Sequence, residues 1–132
     1  MTNLRPHCID EVKANNYQKL LQGLINKEKK KGFKEEDIEF DIEDTYILAR
    51  EIFEWSCVIT DKKYHGLEFV QWDPKKKLTV KNVVLMTGDL AKKHAELDSI
   101  EGKYDVDAYQ KVKEAQEKLE IRLKQKIPIY AH

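Results

Sequence analysis

Leu67-Glu68-Phe69-Val70-Gln71-Trp72-Asp73-Pro74 is the stretch that decides the fold class. Apolar and polar side chains alternate through Trp72, the pattern of a half-buried strand. Asp73-Pro74 ends it, because proline has no N–H to give to a ladder. Upstream, Cys57-Val58-Ile59-Thr60 is short and β-branched, and Asp61 to Gly66 carries turn residues. The two runs together predict a hairpin of 57–60 with 67–72, joined by a six-residue connection. Downstream, Lys75, Lys76 and Lys77 read as an exposed loop. Val80 to Met86 reads either as a third strand or as the approach to a helix.

Helical patterns lie on both sides of this β element. Tyr17, Leu20, Leu21, Leu24 and Ile25 fall on one face of a helix over 11–31. Asp10 is its N-cap, Lys29 to Lys31 suit its C-terminal dipole, and Gly32 stops it. Ile38, Ile42, Tyr46 and Phe53 form the stripe of a second helix over 35–55, widened by Ile47, Ala49 and Ile52. Its acidic start is expected near the basic end of the first helix. On the other side, Thr87-Gly88-Asp89 is a capping sequence for a short helix from Leu90 to about Leu97. Ala108, Val112, Ala115, Leu119 and Leu123 then mark a long amphipathic helix over 105–125, broken by Pro128. The apolar tail Ile127 to Tyr130 is expected to dock on the core. The predicted class is α+β and predominantly helical: two N-terminal helices, a short antiparallel hairpin with a following short helix, and a long C-terminal amphipathic helix. One domain is expected over 1–132, with a helical part (1–55), a ββα-like part (56–98) and a C-terminal helix and tail (99–132).

Composition narrows the classes of function. The chain has 132 residues, 41 % apolar and 36 % charged, enough for a core under heavily charged outer faces. No apolar run approaches the roughly 18 residues of a membrane span, and Met1 to Asp10 lacks a secretory h-region. Cys8 and Cys57 do not make a disulfide framework; two reduced thiols is the preferred reading, a single bridge the other. A soluble, intracellular, cytosolic-type chain with no membrane span is expected; loss of an organelle presequence is the alternative. Net charge is zero but blocky. Residues 1–33 carry 7 basic and 3 acidic side chains, 34–55 carry 2 and 9, and 56–81 carry 6 and 3. A protein that mainly grips phosphate is usually basic throughout its domain. Blocks of opposite sign suit internal pairing or docking on a charged partner.

Sequence signatures of common chemistries are absent. There is no glycine-rich phosphate loop, GxSxG elbow, HExxH or CxxC. His7, Cys8, Cys57, His65 and His94 lack the close pairing of structural zinc ligands. The acidic residues 35–44 lack the spacing of a calcium loop and read as a solvated face. His94, between Lys93 and Glu96, reads as a surface residue. Trp55, Tyr64 and Trp72 could stack on bases, but Trp72 at a strand end reads as core or interface.

Residues 57–94 resemble the HNH (ββα-metal) nuclease module in the order of their parts: Cys-Val-Ile-Thr, Gly-Leu-Glu-Phe-Val-Gln-Trp-Asp-Pro, Leu-Thr-Val-Lys-Asn-Val-Val-Leu-Met-Thr, and a Lys-Lys-His helix. The family has a cysteine knuckle, a strand ending in Asp-His before Pro, an Asn leading an apolar run, and a helix bearing His. The resemblance implies that Val70 and Gln71 stand where that family holds its metal-binding Asp and its general base. Valine cannot ligate a metal, and glutamine cannot take a proton near neutral pH. Cys57 keeps one knuckle sulfur, with Thr60 at its partner position; a second cysteine pair and the last His fall near Thr87, Leu90 and Ala91. The implied module is a degenerate ββα scaffold without catalytic residues, cofactor or metal, in which Asn82 ties the loop to the hairpin and Trp72 is structural.

Three functions follow as expectations. The first is a non-catalytic structural or protein-interaction module, a component of a larger assembly with a protein partner. The second is a divergent nucleic-acid binder or nuclease using Lys62, Lys63, Lys75, Lys76, Lys77 and Lys81, which flank one strand and could share a face. The third is a small inhibitor whose acidic helix blocks a nucleic-acid enzyme.

Overall fold

The computed structural model describes residues 11–61 and 66–125, and the side chains from residue 16 onward. Helix α1 (Glu11–Lys30) buries Tyr17, Leu20 and Leu24, as its periodicity predicts. It ends where glycine allows. Gly32 takes φ 100°, Gly32 N–H bonds to the Lys29 carbonyl, and Phe33 N–H reaches the Glu28 carbonyl. These two bonds satisfy carbonyls that the last turn would otherwise leave open.

The segment 35–55 does not form the single helix its stripe suggests. A 3-10 turn (Glu35–Asp37) leads into extended backbone at Ile38, and α2 (Ile42–Tyr46) starts only after Asp41. Asp41 explains the late start. Its carboxylate accepts the Asp44 N–H at 2.9 Å, while Asp44 accepts the Asp41 N–H at 3.1 Å. This reciprocal box stabilises a helix N-terminus, so Asp41 sits outside the helix rather than within it. Beyond Tyr46 the coil widens into a π-helical run, Ile47–Ile52, that buries Ile47, Leu48, Ala49 and Ile52. Glu54 and Trp55 then adopt φ of 50° and 57°, which ends the helix without a glycine. The acidic start does lie by the basic end of α1: Lys29 pairs with Glu35 at 3.0 Å.

The sheet has two antiparallel strands, but not the two that the sequence pattern pairs. β1 (Leu67–Gln71) pairs with β2 (Val83–Thr87), Phe69 opposite Leu85. Residues 57–60 form a tight turn, with Asp61 N–H bonded to the Cys57 carbonyl and Asp61 at φ 61°. The turn lies beside β2, where Val58 N–H donates to the outward carbonyl of Leu85 at 2.9 Å. The opposite edge is capped by Lys27, whose Nζ donates to the Phe69 carbonyl at 2.7 Å. One carbonyl on each edge of this very short sheet is thus occupied from outside the ladder, which blunts edges that would otherwise invite edge-to-edge association.

Helix α3 (Gly88–Ala95) follows β2 directly and packs on both strands. The order β1, β2, α3 is a ββα arrangement. Helix α4 (Val106–Gln125) closes the core with Ala108, Val112 and Leu119. It packs on the π-helical run, where buried Arg122 makes a two-armed contact with Glu51 at 2.7 and 3.2 Å. The architecture is α+β with helices dominant, as the sequence predicts. No helix among the described residues is long and apolar enough to cross a membrane. The tail 126–132 and Cys8 lie outside the described residues; Cys57 is a free, buried thiol.

Candidate functional site

The ββα unit and its connection carry Val70, Gln71, Trp72, Asn82 and His94, so their geometry decides what chemistry is available there. Val70 is 3 % exposed and lies in the core. Its neighbour Gln71 is half-buried with its amide committed. Nε2 donates to the Asp73 and Lys76 carbonyls, and Oε1 accepts from Lys31 Nζ at 2.8 Å. Lys31 comes from the end of α1 and also stands 2.8 Å from the carboxylate of buried Glu28. That contact lacks hydrogen-bond alignment and is therefore mainly Coulombic. A charged pair from another helix thus closes over the strand end.

Asn82 fixes the connection 72–82. Its Oδ1 accepts the Asp73 N–H at 2.9 Å, and its Nδ2 donates to the carbonyls of Asp73, Lys76 and Lys77 at 3.1 to 3.2 Å. Its own carbonyl accepts the Trp72 N–H, extending the ladder by one pair. One neutral amide therefore closes the lysine loop onto the hairpin.

Trp72 is buried in an aromatic stack. The His94 ring lies 5.1 Å away and nearly parallel, Tyr104 is at 5.4 Å, and Tyr109 meets it edge-on at 6.1 Å. His94 is not a surface residue: it is 2 % exposed. It stands one turn after fully buried Ala91 on α3, and that i, i+3 spacing turns it inward. Its Nε2 donates to the Trp72 carbonyl at 2.7 Å, and its Nδ1 meets the Tyr104 hydroxyl. Burial pushes the imidazole below its ordinary value, while the Trp72 and Gln71 carbonyls oppose that shift. The 99–104 loop is pinned in turn by Tyr109, whose hydroxyl donates to the Ile100 carbonyl.

The turn at Cys57 is polar at its centre. Burial raises the thiol, but hydrogen bonds from the Thr60 hydroxyl and from the N–H groups of Thr60, Thr87 and Ile59 outweigh it, so the thiol lies below its ordinary range. Cys57 lines a cavity of about 270 Å³ with Asp61, Lys111 and Lys118. Among the described residues no three His, Cys, Asp or Glu side chains converge to hold a metal.

The candidate lysines are divided rather than gathered. Lys62 and Lys63 lie outside the described residues. Lys75, Lys76, Lys77 and Lys81 are all exposed. Lys77 pairs with Glu39 at 3.3 Å, and Lys76 and Lys77 line a largely apolar cleft of about 320 Å³ with Phe33, Ile38 and Leu78. Lys81 turns the other way and pairs with Glu120 of α4 at 3.4 Å. The sequence reading did not find Lys31, Glu28, Tyr104 or Tyr109. Only the Tyr104-to-Tyr109 spacing beside a buried strand end could have hinted at the aromatic stack. No family model matches the chain, and no curated protein matches it.

Proposed function

We propose that the chain is a non-catalytic module in which a ββα frame serves as a scaffold, a structural or protein-interaction component of a larger assembly. The observation that carries this reading is the state of Val70 and Gln71. These residues stand where the HNH-like order would place a metal-binding carboxylate and a general base. Neither side chain can do that chemistry, and the space is taken by core packing and by Lys31, the residue that follows α1. The polar groups around the hairpin end are spent on one another: Asn82 on the loop carbonyls, Gln71 on two carbonyls and Lys31, His94 on Trp72 and Tyr104. Such saturation supports shape rather than turnover.

A nuclease assay on the purified chain with magnesium and with manganese tests it. The expected result is no cleavage of single- or double-stranded DNA. Metal-dependent cutting that Gln71→Ala or Asn82→Ala abolishes would overturn the reading.

The second reading, a nucleic-acid binder, is favoured by one observation. Lys75 and Lys76 are exposed and, among the described residues, have no carboxylate partner. Phosphate binding through them would weaken steeply with salt. A gel shift at 50 mM salt that disappears when both are changed to glutamine supports this reading; no shift at low salt removes it.

A further inference from the structure

His94 joins three elements that share no other polar contact with it: α3, which carries it; the end of β1, through the Trp72 carbonyl; and the 99–104 loop, through Tyr104. Its tautomer follows from the geometry. A carbonyl can only accept, so Nε2 carries the hydrogen; Nδ1 is then bare and accepts the Tyr104 O–H. This arrangement, with the phenol as donor, belongs to the neutral ring. A proton on Nδ1 ends the O–H···N bond: the phenol hydrogen must turn away before its oxygen can face the new N–H. It also leaves a cation under Trp72 in a site that is almost fully enclosed.

The surroundings offer that cation little relief. Tyr104 touches the ring, and Tyr109 packs against both Trp72 and Tyr104. Cys57 stands near enough to Tyr104 to help burial and Tyr109 raise its phenol. From the β1 side, Asp73 is the nearest acid in sequence, and its carboxylate accepts the Lys75 N–H. On α3 itself Asp89, Lys92 and Lys93 are exposed; so are Glu96, Glu101 and Lys103 of the following loop and Asp105 and Asp107 at the start of α4. The charges on α3, the loop and α4 are exposed to water, and the depression of the imidazole comes from its burial, opposed by the two carbonyls.

We propose that His94 is an acid-sensitive latch: protonation of Nδ1 releases Tyr104, and the 99–109 segment swings off the hairpin while the sheet stays formed. The sign follows from linkage. The ring binds its proton less readily when latched than when free, so latching is complete above about pH 6.5 and weakens as pH falls towards the latched value. Within that window one proton is taken up per opening, so the opening equilibrium rises about tenfold for each pH unit.

Amide hydrogen exchange on the full chain between pH 8 and pH 5, expressed as protection relative to the unfolded chain, reads the latch directly. Protection across 100–109 should fall below pH 6.5 with that slope, while protection across Val83–Thr87 holds. Ring nitrogen spectra should show His94 as the Nε2–H form at pH 8. His94→Gln keeps a donor for the Trp72 carbonyl and an acceptor for Tyr104, and should make protection across 100–109 independent of pH. Tyr104→Phe should lower protection there at pH 8 and flatten its pH dependence, and it decides the question should the glutamine variant not fold. The proposal is overturned if 100–109 and Val83–Thr87 lose protection together, if His94 titrates at its ordinary value, or if the Tyr104→Phe chain keeps the wild-type slope.

Discussion

Trp72 is held from two sides, by Asn82 through its N–H and by His94 through its carbonyl. The Asn82 side is short-range: every partner of its side chain lies between Asp73 and Lys77, within nine residues along the chain. It uses a neutral amide whose donors and acceptor never change with pH. The His94 side is long-range, drawing on α3, the 99–104 loop and α4, and its central group is titratable. The same strand end is therefore fastened by one lock that is insensitive to pH and another that is not. Burying a charge costs more than burying a neutral polar group, and the imidazole here is almost fully enclosed.

Removing what the two locks share gives the largest effect. Trp72→Ala empties the stack and should cost about 4 kcal/mol, read as a lower urea midpoint. Asn82→Ala removes the side-chain part of the short-range lock, while the Trp72 N–H keeps the backbone carbonyl of residue 82. It leaves the Asp73 N–H and the Lys77 carbonyl without their amide partner, while Gln71 still reaches the Asp73 and Lys76 carbonyls, for a loss of about 2 kcal/mol that should be the same at pH 8 and pH 5.5. A loss that depends on pH would mean the two locks are coupled. Lys27→Ala should cost at most about 1 kcal/mol, because water can replace the ammonium at the exposed edge.

The smallest effect has the opposite pH sign and serves as a control. Burial raises the Asp44 carboxyl to about 6, opposed by the Asp41 N–H and helped by the charges of Asp41 and Glu43 and by a side-chain hydrogen bond with Asp41. Its folded value is above its unfolded value, so its protonated form stabilises the fold below about pH 3.8, and that contribution is lost as pH rises through about 6. Asp44→Asn should therefore raise the urea midpoint at pH 7 and leave it unchanged near pH 4. Because Asp44 tightens the fold as pH falls, the variant should leave acid loosening at His94 undiminished.

How much of this was legible beforehand depends on the range of the interaction. The Gly32 stop, the Asp73-Pro74 strand end and the apolar face of α4 act within a turn or a short loop and could be read from the residues; the Asn82 tie came only as what the resemblance of 57–94 implies. The break in 35–55 was hidden because its apolar stripe fits a helix, while the Asp41–Asp44 box that resets the start is written in the same acidic letters as a helix face. His94 was misread because its immediate neighbours, Lys93 and Glu96, are charged; Ala91, one turn back, was the better guide.

By itself, the sequence determined the class: an α+β chain, mostly helical, with a strand ending before Pro74 and two long amphipathic helices. Periodicity, caps and proline act through the backbone of a few neighbouring residues, so they need no partner to be read. Only the tertiary structure decided which strand pairs with β1, that Lys31, the residue that follows α1, occupies the strand end, and that His94 joins Trp72 to Tyr104. Those outcomes depend on which surfaces exclude water together. The turn at Cys57 has the β-branched composition of a strand, but its N–H groups face a sulfur, and β1 pairs instead with β2, beyond the connection closed by Asn82.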